Sequence, residues 1–157
     1  MFLNTFHNKK TAILAGIAVF LLITDRFFKT MAINGMLDQP INCLGNILKL
    51  FFTKNYFIAF SLPIGNITAS IISTAIICLL LVSIAYCVKK QNTTATWFLL
   101  FIVIGAASNL LDRIKYGYVI DYLDLKYFTV FNLADALIIL GVLGLLLINK
   151  NNSINMF

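Results

Sequence analysis

The chain has 157 residues, of which 61% are apolar and only 11% charged, with a net charge of +6; soluble domains run at roughly 45–50% apolar and about 25% charged. With a mean hydropathy of +0.93, this balance excludes an ordinary soluble domain and points to a membrane protein, a compact bundle of a few helices. It also argues against a nucleic-acid partner, because the basic residues flank apolar runs and form no patch with interleaved aromatics.

Four apolar runs are long enough to span a membrane. The first covers about 11–28. It has a basic flank, as a signal peptide would, but "TAILAGIAVFLLITD" leads into "RFFK" with no small-residue cleavage site, so an uncleaved helix is expected. The segment at about 30–66 follows. Its "CLGNILKLFFTKNYFIAFSLP" alternates short apolar groups with Asn and Lys, which suits short strands or an amphipathic piece at the outer interface. Cys43 is expected to be an ordinary loop residue, and Cys78 and Cys87 lie inside one apolar run, so all three cysteines are expected to be free.

The second and third spans are expected at about 67–88 and 95–111, joined by the polar turn "KKQNTT". The small residues of "GAAS" (105–108) allow close helix contact. Beyond them Asn109, Asp112 and Arg113 share one polar face at the outer end of the third helix. Gly117 permits a turn, and "GYVIDY" alternates as a strand does, which returns Asp121 to the mouth of the bundle. The fourth span is expected at about 128–148. No repeat or linker divides the chain, so residues 1–157 read as one domain. The short segments on one side hold Lys9, Lys10, Lys89, Lys90 and Lys150, which places both termini in the cytoplasm.

The fourth run carries Asp135. An acidic residue at mid-membrane costs roughly 2.5–3.5 kcal/mol on insertion scales. Counted from residue 128, Asp135 lies roughly 10 Å below the outer end of its helix, with Asn132 on the same face. That polar pair must point at a neighbour rather than at lipid. Asp121 and Asp135 thus converge in a low-dielectric pocket, where one keeps its proton and the two can act as general acid and general base. Rival chemistries lack parts. The only histidine, His7, lies on the wrong side, there is no Glu, and no metal-binding spacing occurs, so no metal or cofactor is expected. Asp124 falls in a polar connection and is expected to be solvated. A proton- or cation-coupled transporter is the alternative, disfavoured because the acids lie near the outer surface and no inverted repeat is visible.

At these residues the chain resembles lipoprotein signal peptidases (signal peptidase II), bacterial aspartic peptidases of the inner membrane. "DRFFK" (25–29), "TKNYFIAFS" (53–61), "GAASNLLDRIKYGYVIDY" (105–122) and "FNLAD" (131–135) are similar to four blocks of that family, in order. The resemblance implies an all-α polytopic membrane fold, with four transmembrane helices, a small periplasmic β-cradle and an interfacial helix. It implies that Asp121 and Asp135 are the catalytic dyad and that Asn109, Arg113 and Asn132 line the site. It further implies that Asn55 reaches towards substrate, that Asp25 and Lys29 support the pocket, and that Asp112 holds its block together. The implied substrate is a prolipoprotein whose cysteine already carries diacylglycerol, cut just before that cysteine by a monomer surrounded by membrane lipid. Two positions depart. Phe57 stands where glycine is usual and where glycine permits backbone angles that phenylalanine avoids. Ser108 stands where glycine is common.

Overall fold

The computed structural model describes the backbone of residues 2–56 and 65–154, and the side chains of 12–56 and 65–148. Phe57 and the end of its block lie outside the described residues. In chain order the elements are α1 (Phe2–Ile33), β1 (Ile41–Leu44), β2 (Leu48–Asn55), α2 (Asn66–Lys89), α3 (Thr93–Tyr116), β3 (Val119–Leu125), β4 (Val130–Phe131) and α4 (Leu133–Ile154). Four helices therefore carry a four-stranded antiparallel sheet in the order β1-β2-β3-β4.

Helix ends fall where the sequence supplies a stop. α1 runs past residue 28 to Ile33, because no breaker occurs before Gly35, which sits at φ +78°. α3 is capped at its start by Asn92, whose side chain accepts from the Ala95 N–H at 3.1 Å, and at its end by Gly117 in the left-handed conformation. It is longer than expected and takes in the whole 105–116 stretch. α4 begins at Leu133, not 128, because 130–131 pair with β3 as a strand. Cys43 lies on β1, not in a loop, and it and the other two cysteines are free. The implied interfacial helix is not among the described residues.

The sheet draws on two distant segments. β2 pairs with β3 so that Thr53 faces Asp121 and Asn55 faces Val119. On β3, Ile120 and Tyr122 turn to one side, where Ala32 and Leu37 close a buried cluster with Phe28, Leu50, Phe52 and Leu133 around it. Asp121 turns to the other side. Asp124 is half-buried opposite Lys49 rather than solvated, because it too is a strand residue.

The helices pack unevenly. On α1, Ala18, Asp25, Lys29 and Ala32 form one buried stripe at helical spacing. Ala18 joins Phe101 of α3 and Leu137 of α4 in a second buried cluster. α2 leans chiefly on α3, and Ala69 is its one buried residue. Its remaining surface is apolar and open, with Ile67, Ile71, Leu79 and Val82 all more than 60% exposed. α2 and α3 are long and apolar enough to cross a membrane, and Leu133–Ile148 is a shorter apolar helical stretch.

Close contact of α3 and α4 depends on Gly105. A methyl group there would run into the Ala134 carbonyl oxygen and the Ile138 side chain. Because the obstacle is backbone, Gly105→Ala is expected to cost about 1–3 kcal/mol, the range for overpacking, read as a lower Tm in detergent. Gly16→Ala, where nothing lies within 4 Å, should cost nothing. Equal Tm values for the two variants would show that α3 and α4 do not pack this tightly.

Candidate active site

The position of Asp135 differs from the sequence expectation. It is not deep in a span but the third residue of α4. The Asn132 side chain accepts from the Asp135 N–H at 2.9 Å, and the Asp135 carboxylate accepts from the Asn132 N–H at 3.2 Å. This reciprocal pair is a capping box. It places the carboxylate at the positive end of the helix, where a negative charge is stabilised.

Asn132 also reaches the other carboxylate. Its side-chain amide donates to Asp121 Oδ1 at 2.7 Å and to the Ile120 carbonyl at 3.3 Å. Asn55, carried in by the β2–β3 pairing, donates to Asp121 Oδ2 at 2.9 Å. Asn109 on α3 donates to Asp135 Oδ1 at 2.7 Å. Four elements thus bring Asp121 and Asp135 around one buried asparagine. Burial pushes the Asp121 carboxyl up from 3.8 to about 7, and the Asp135 charge adds to the rise; the Asn55 and Asn132 hydrogen bonds and the Lys29 charge oppose it. Arg113, 7% exposed, lies within electrostatic reach of Asp121, Asp135 and Asp112.

Beneath the carboxylates lies a buried ion cluster. The Lys29 ammonium, 2% exposed, meets Asp112 Oδ2 at 2.7 Å, Asp25 Oδ2 at 3.1 Å and Asn109 Oδ1 at 2.9 Å. Asp112 is also bound by Arg26 at 2.9 Å, and its other oxygen accepts from the Ile120 N–H at 3.4 Å. Its partners are therefore Lys29 and Arg26 of α1, 83 and 86 residues away in the chain, a separation that no local pattern reveals. Asp25 accepts from Ser108 Oγ at 2.6 Å, from Tyr122 Oη at 3.1 Å and from the Ala134 N–H at 3.3 Å. The departure at Ser108 thus adds a hydrogen bond in a site where the residue is 1% exposed.

Sequence reasoning missed two members of this cluster, Arg26 and Tyr122. Arg26 adjoins Asp25, and Tyr122 adjoins Asp121, so adjacency was the only available sign. It also missed the start of α4, for which a sign existed: Asn-x-x-Asp at 132–135 is a capping-box spacing. Asn55, Asn109, Asn132, Asp121 and Asp135 meet in one site, with Asp25, Lys29 and Asp112 in the layer behind.

Two carboxylates joined through amides, one of them pushed up to about 7 by burial, suit acid–base attack of water on a carbonyl. Comparison with known proteins points the same way. The profile of the family described as signal peptidase (SPase) II matches residues 17–150. The lipoprotein signal peptidase of Caldicellulosiruptor bescii is 38% identical over 122 residues, covering 77% of this chain and 79% of that one. That of Halothermothrix orenii is 30% identical over 132 residues, covering 83% and 90%. The solved structure of a bacterial membrane enzyme, determined by the in meso method, superposes with a TM-score of 0.78 at 24% identity, over 92% of this chain and 91% of that one, and so shares the fold. The transporter alternative is not favoured, and the chain belongs to the signal peptidase II family.

Proposed function

We propose that this chain is an aspartic endopeptidase in which Asp121 and Asp135 share one catalytic proton, and that it removes the signal peptide from diacylglyceryl-modified prolipoproteins by cutting before the lipidated cysteine. The observation that carries the reading is the bridging of both carboxylates by Asn132, with Asp121 raised to about 7. Family membership supports the substrate class.

The chemistry follows from the pair. The ionised carboxylate takes a proton from water as the oxygen attacks the scissile carbonyl carbon. The protonated carboxyl gives its proton to the carbonyl oxygen, forming a gem-diol. The first carboxyl then gives its proton to the amide nitrogen while the second carboxylate takes one back from a gem-diol hydroxyl, so the C–N bond breaks, the new carboxyl terminus forms and the pair regains its single proton. Asn55, Asn109 and Asn132 hold both carboxylates in place through this exchange, and Arg113 offsets the remaining negative charge. The lipid tails of the substrate stay in the bilayer and present the bond at the outer interface, which converts a search in solution into a short two-dimensional one. One copy of the chain supplies both carboxylates and the amides that hold them, so the reading requires no second copy. We place four helices across the bacterial inner membrane, with the termini cytoplasmic and the carboxylates at the periplasmic side; the lysines of the short connections support that orientation.

In detergent with EDTA present, the protein is expected to cleave diacylglyceryl-modified prolipoprotein and to leave the unmodified precursor uncut. Asp121→Asn and Asp135→Asn should each abolish cleavage, Asp124→Asn should retain it, and mixing the two inactive variants should not restore it. Substantial activity in either dyad variant would sink the assignment. The pH profile of kcat/KM adds a sign. The Asp121 proton is present below about 7 and lost above it, so activity should fall as pH rises through that value. A flat alkaline limb would exclude a proton held there.

Orientation has its own test. A reporter fused after Lys150 should read cytoplasmic, and one inserted at Asn34, just beyond α1, should read external. The reverse pattern would put the carboxylates on the face where no lipoprotein precursor presents its cleavage site.

A further inference from the structure

The first three N–H groups of α4 each have a side-chain acceptor, and the acceptors come from three places. Leu133 N–H donates to Tyr122 Oη at 3.2 Å, Ala134 N–H to Asp25 Oδ1 at 3.3 Å and Asp135 N–H to Asn132 Oδ1 at 2.9 Å. Such groups have no partner inside their own helix. Here they are tied to β3, to α1 and to the cap residue. The Tyr122 hydroxyl also donates to Asp25 Oδ1 at 3.1 Å, so two of the three anchors are joined to each other.

Tyr122 is placed to do more than fill space. It directly follows Asp121 on β3, and its hydroxyl meets the residue two before Asp135 on α4. Its ring is fully buried and stacks on Phe28 of α1, with centroids 5.3 Å apart and planes at 24°. Ala32, Leu37 and Ile120 complete the pocket. Burial, and then the Asp25 charge, push the phenol pKa up, so the hydroxyl keeps the proton it donates. A phenylalanine would satisfy the ring packing and the stacking. Only the hydroxyl is needed to span from the strand of one carboxylate to the first turn that carries the other.

We propose that Tyr122 is a positioning residue of the dyad, whose hydroxyl ties β3 to the first turn of α4 and so sets the spacing between the Asp121 and Asp135 carboxylates. This rests on the reading of those two groups as the reacting pair. Without the hydroxyl, Leu133 N–H loses its acceptor and Asp25 loses a donor. The first turn of α4 then slackens, and Asp135 moves relative to Asp121. The groups that face Asp121 are Asp135 on α4, Lys29 on α1, Arg113 on α3, Asn55 on β2 and Asn132 at the cap. The substitution removes none of them. It alters only how near Asp135 is held.

Tyr122→Phe is the test, in the full-length protein, with two kinds of readout. Amide hydrogen exchange at Leu133, Ala134 and Asp135 should speed up in the variant, whatever substrate the protein takes. In the cleavage assay kcat should fall about 10- to 100-fold, the scale expected for a small misplacement of reacting groups, with KM unchanged. The alkaline limb should move to lower pH, since a more distant Asp135 repels the Asp121 charge less. Incorporating 3-fluorotyrosine at 122, which keeps the hydroxyl, should restore both exchange and rate. Unchanged exchange would overturn the tie itself. Faster exchange with wild-type kcat and pH limb would overturn its part in the reaction, as would a phenylalanine variant that no longer folds. If the unaltered protein cleaves no lipidated precursor, the functional reading fails, while the exchange measurement still decides whether the tie exists.

Discussion

The structure turns on one buried ammonium. Lys29 sits between Asp25 and Asp112 and touches Asn109. Taking such charges out of water is costly, and only close geometry with further hydrogen bonds offsets it. Both carboxylates meet that condition, because each is also bonded to backbone N–H groups of the elements that build the site. Asp112 holds the Ile120 N–H of β3, and Asp25 holds the Ala134 N–H of α4. Through these contacts one lysine on α1 fixes the strand of one candidate catalytic carboxylate and the helix start of the other. Removing its charge alone would leave two buried carboxylates undercompensated, a loss of about 3–5 kcal/mol on the scale of broken buried pairs.

The asparagines carry that order forward without adding charge. Asn109 accepts from Lys29 and donates to Asp135, and Asn132 donates to Asp121 while its backbone donates to Asp135. An amide both donates and accepts, so it can link an ammonium to a carboxylate where a second carboxylate would repel. The charges then nearly balance in two layers. Lys29 and Arg26 offset Asp25 and Asp112 below, and Arg113 faces Asp121 and Asp135 above, where the proposed shared proton would remove one negative charge. That balance allows ionisable groups to sit beside the apolar surfaces of α2, α3 and α4.

Much of this was legible in the chain because it depends on local pattern. The alternation in "GYVIDY" marked β3, Gly117 marked the turn before it, and the small residues at 105–108 marked the close helix contact, although the helix runs past the expected 111 to Tyr116. The four sequence blocks named the residues that meet. What was not legible depends on where one periodicity gives way to another. Phe128, Val130, Phe131 and Leu133 are apolar whether they form strand or helix, so the run alone places Asp135 about a turn too deep. The capping-box spacing at 132–135 would have corrected it. Asp124 reads as solvated because "DLKYFT" (124–129) has the composition of a polar connection, whereas β3 continues through Leu125. Arg26 and Tyr122 escaped because their partners, Asp112 and Asp25, come from distant segments, and nothing near them in sequence announces a pairing.

The central claim is that Asp121 and Asp135 share one proton near neutral pH in the resting protein. Infrared spectroscopy of protein carrying isotopically labelled aspartate measures this directly, since a protonated carboxyl has a C=O stretch distinct from that of a carboxylate. The account predicts one protonated aspartate at mildly acidic pH, its band fading as pH rises through about 7, and its loss or displacement in Asp121→Asn. A spectrum with every aspartate ionised at mildly acidic pH, or a protonated band unchanged by that substitution, would contradict it.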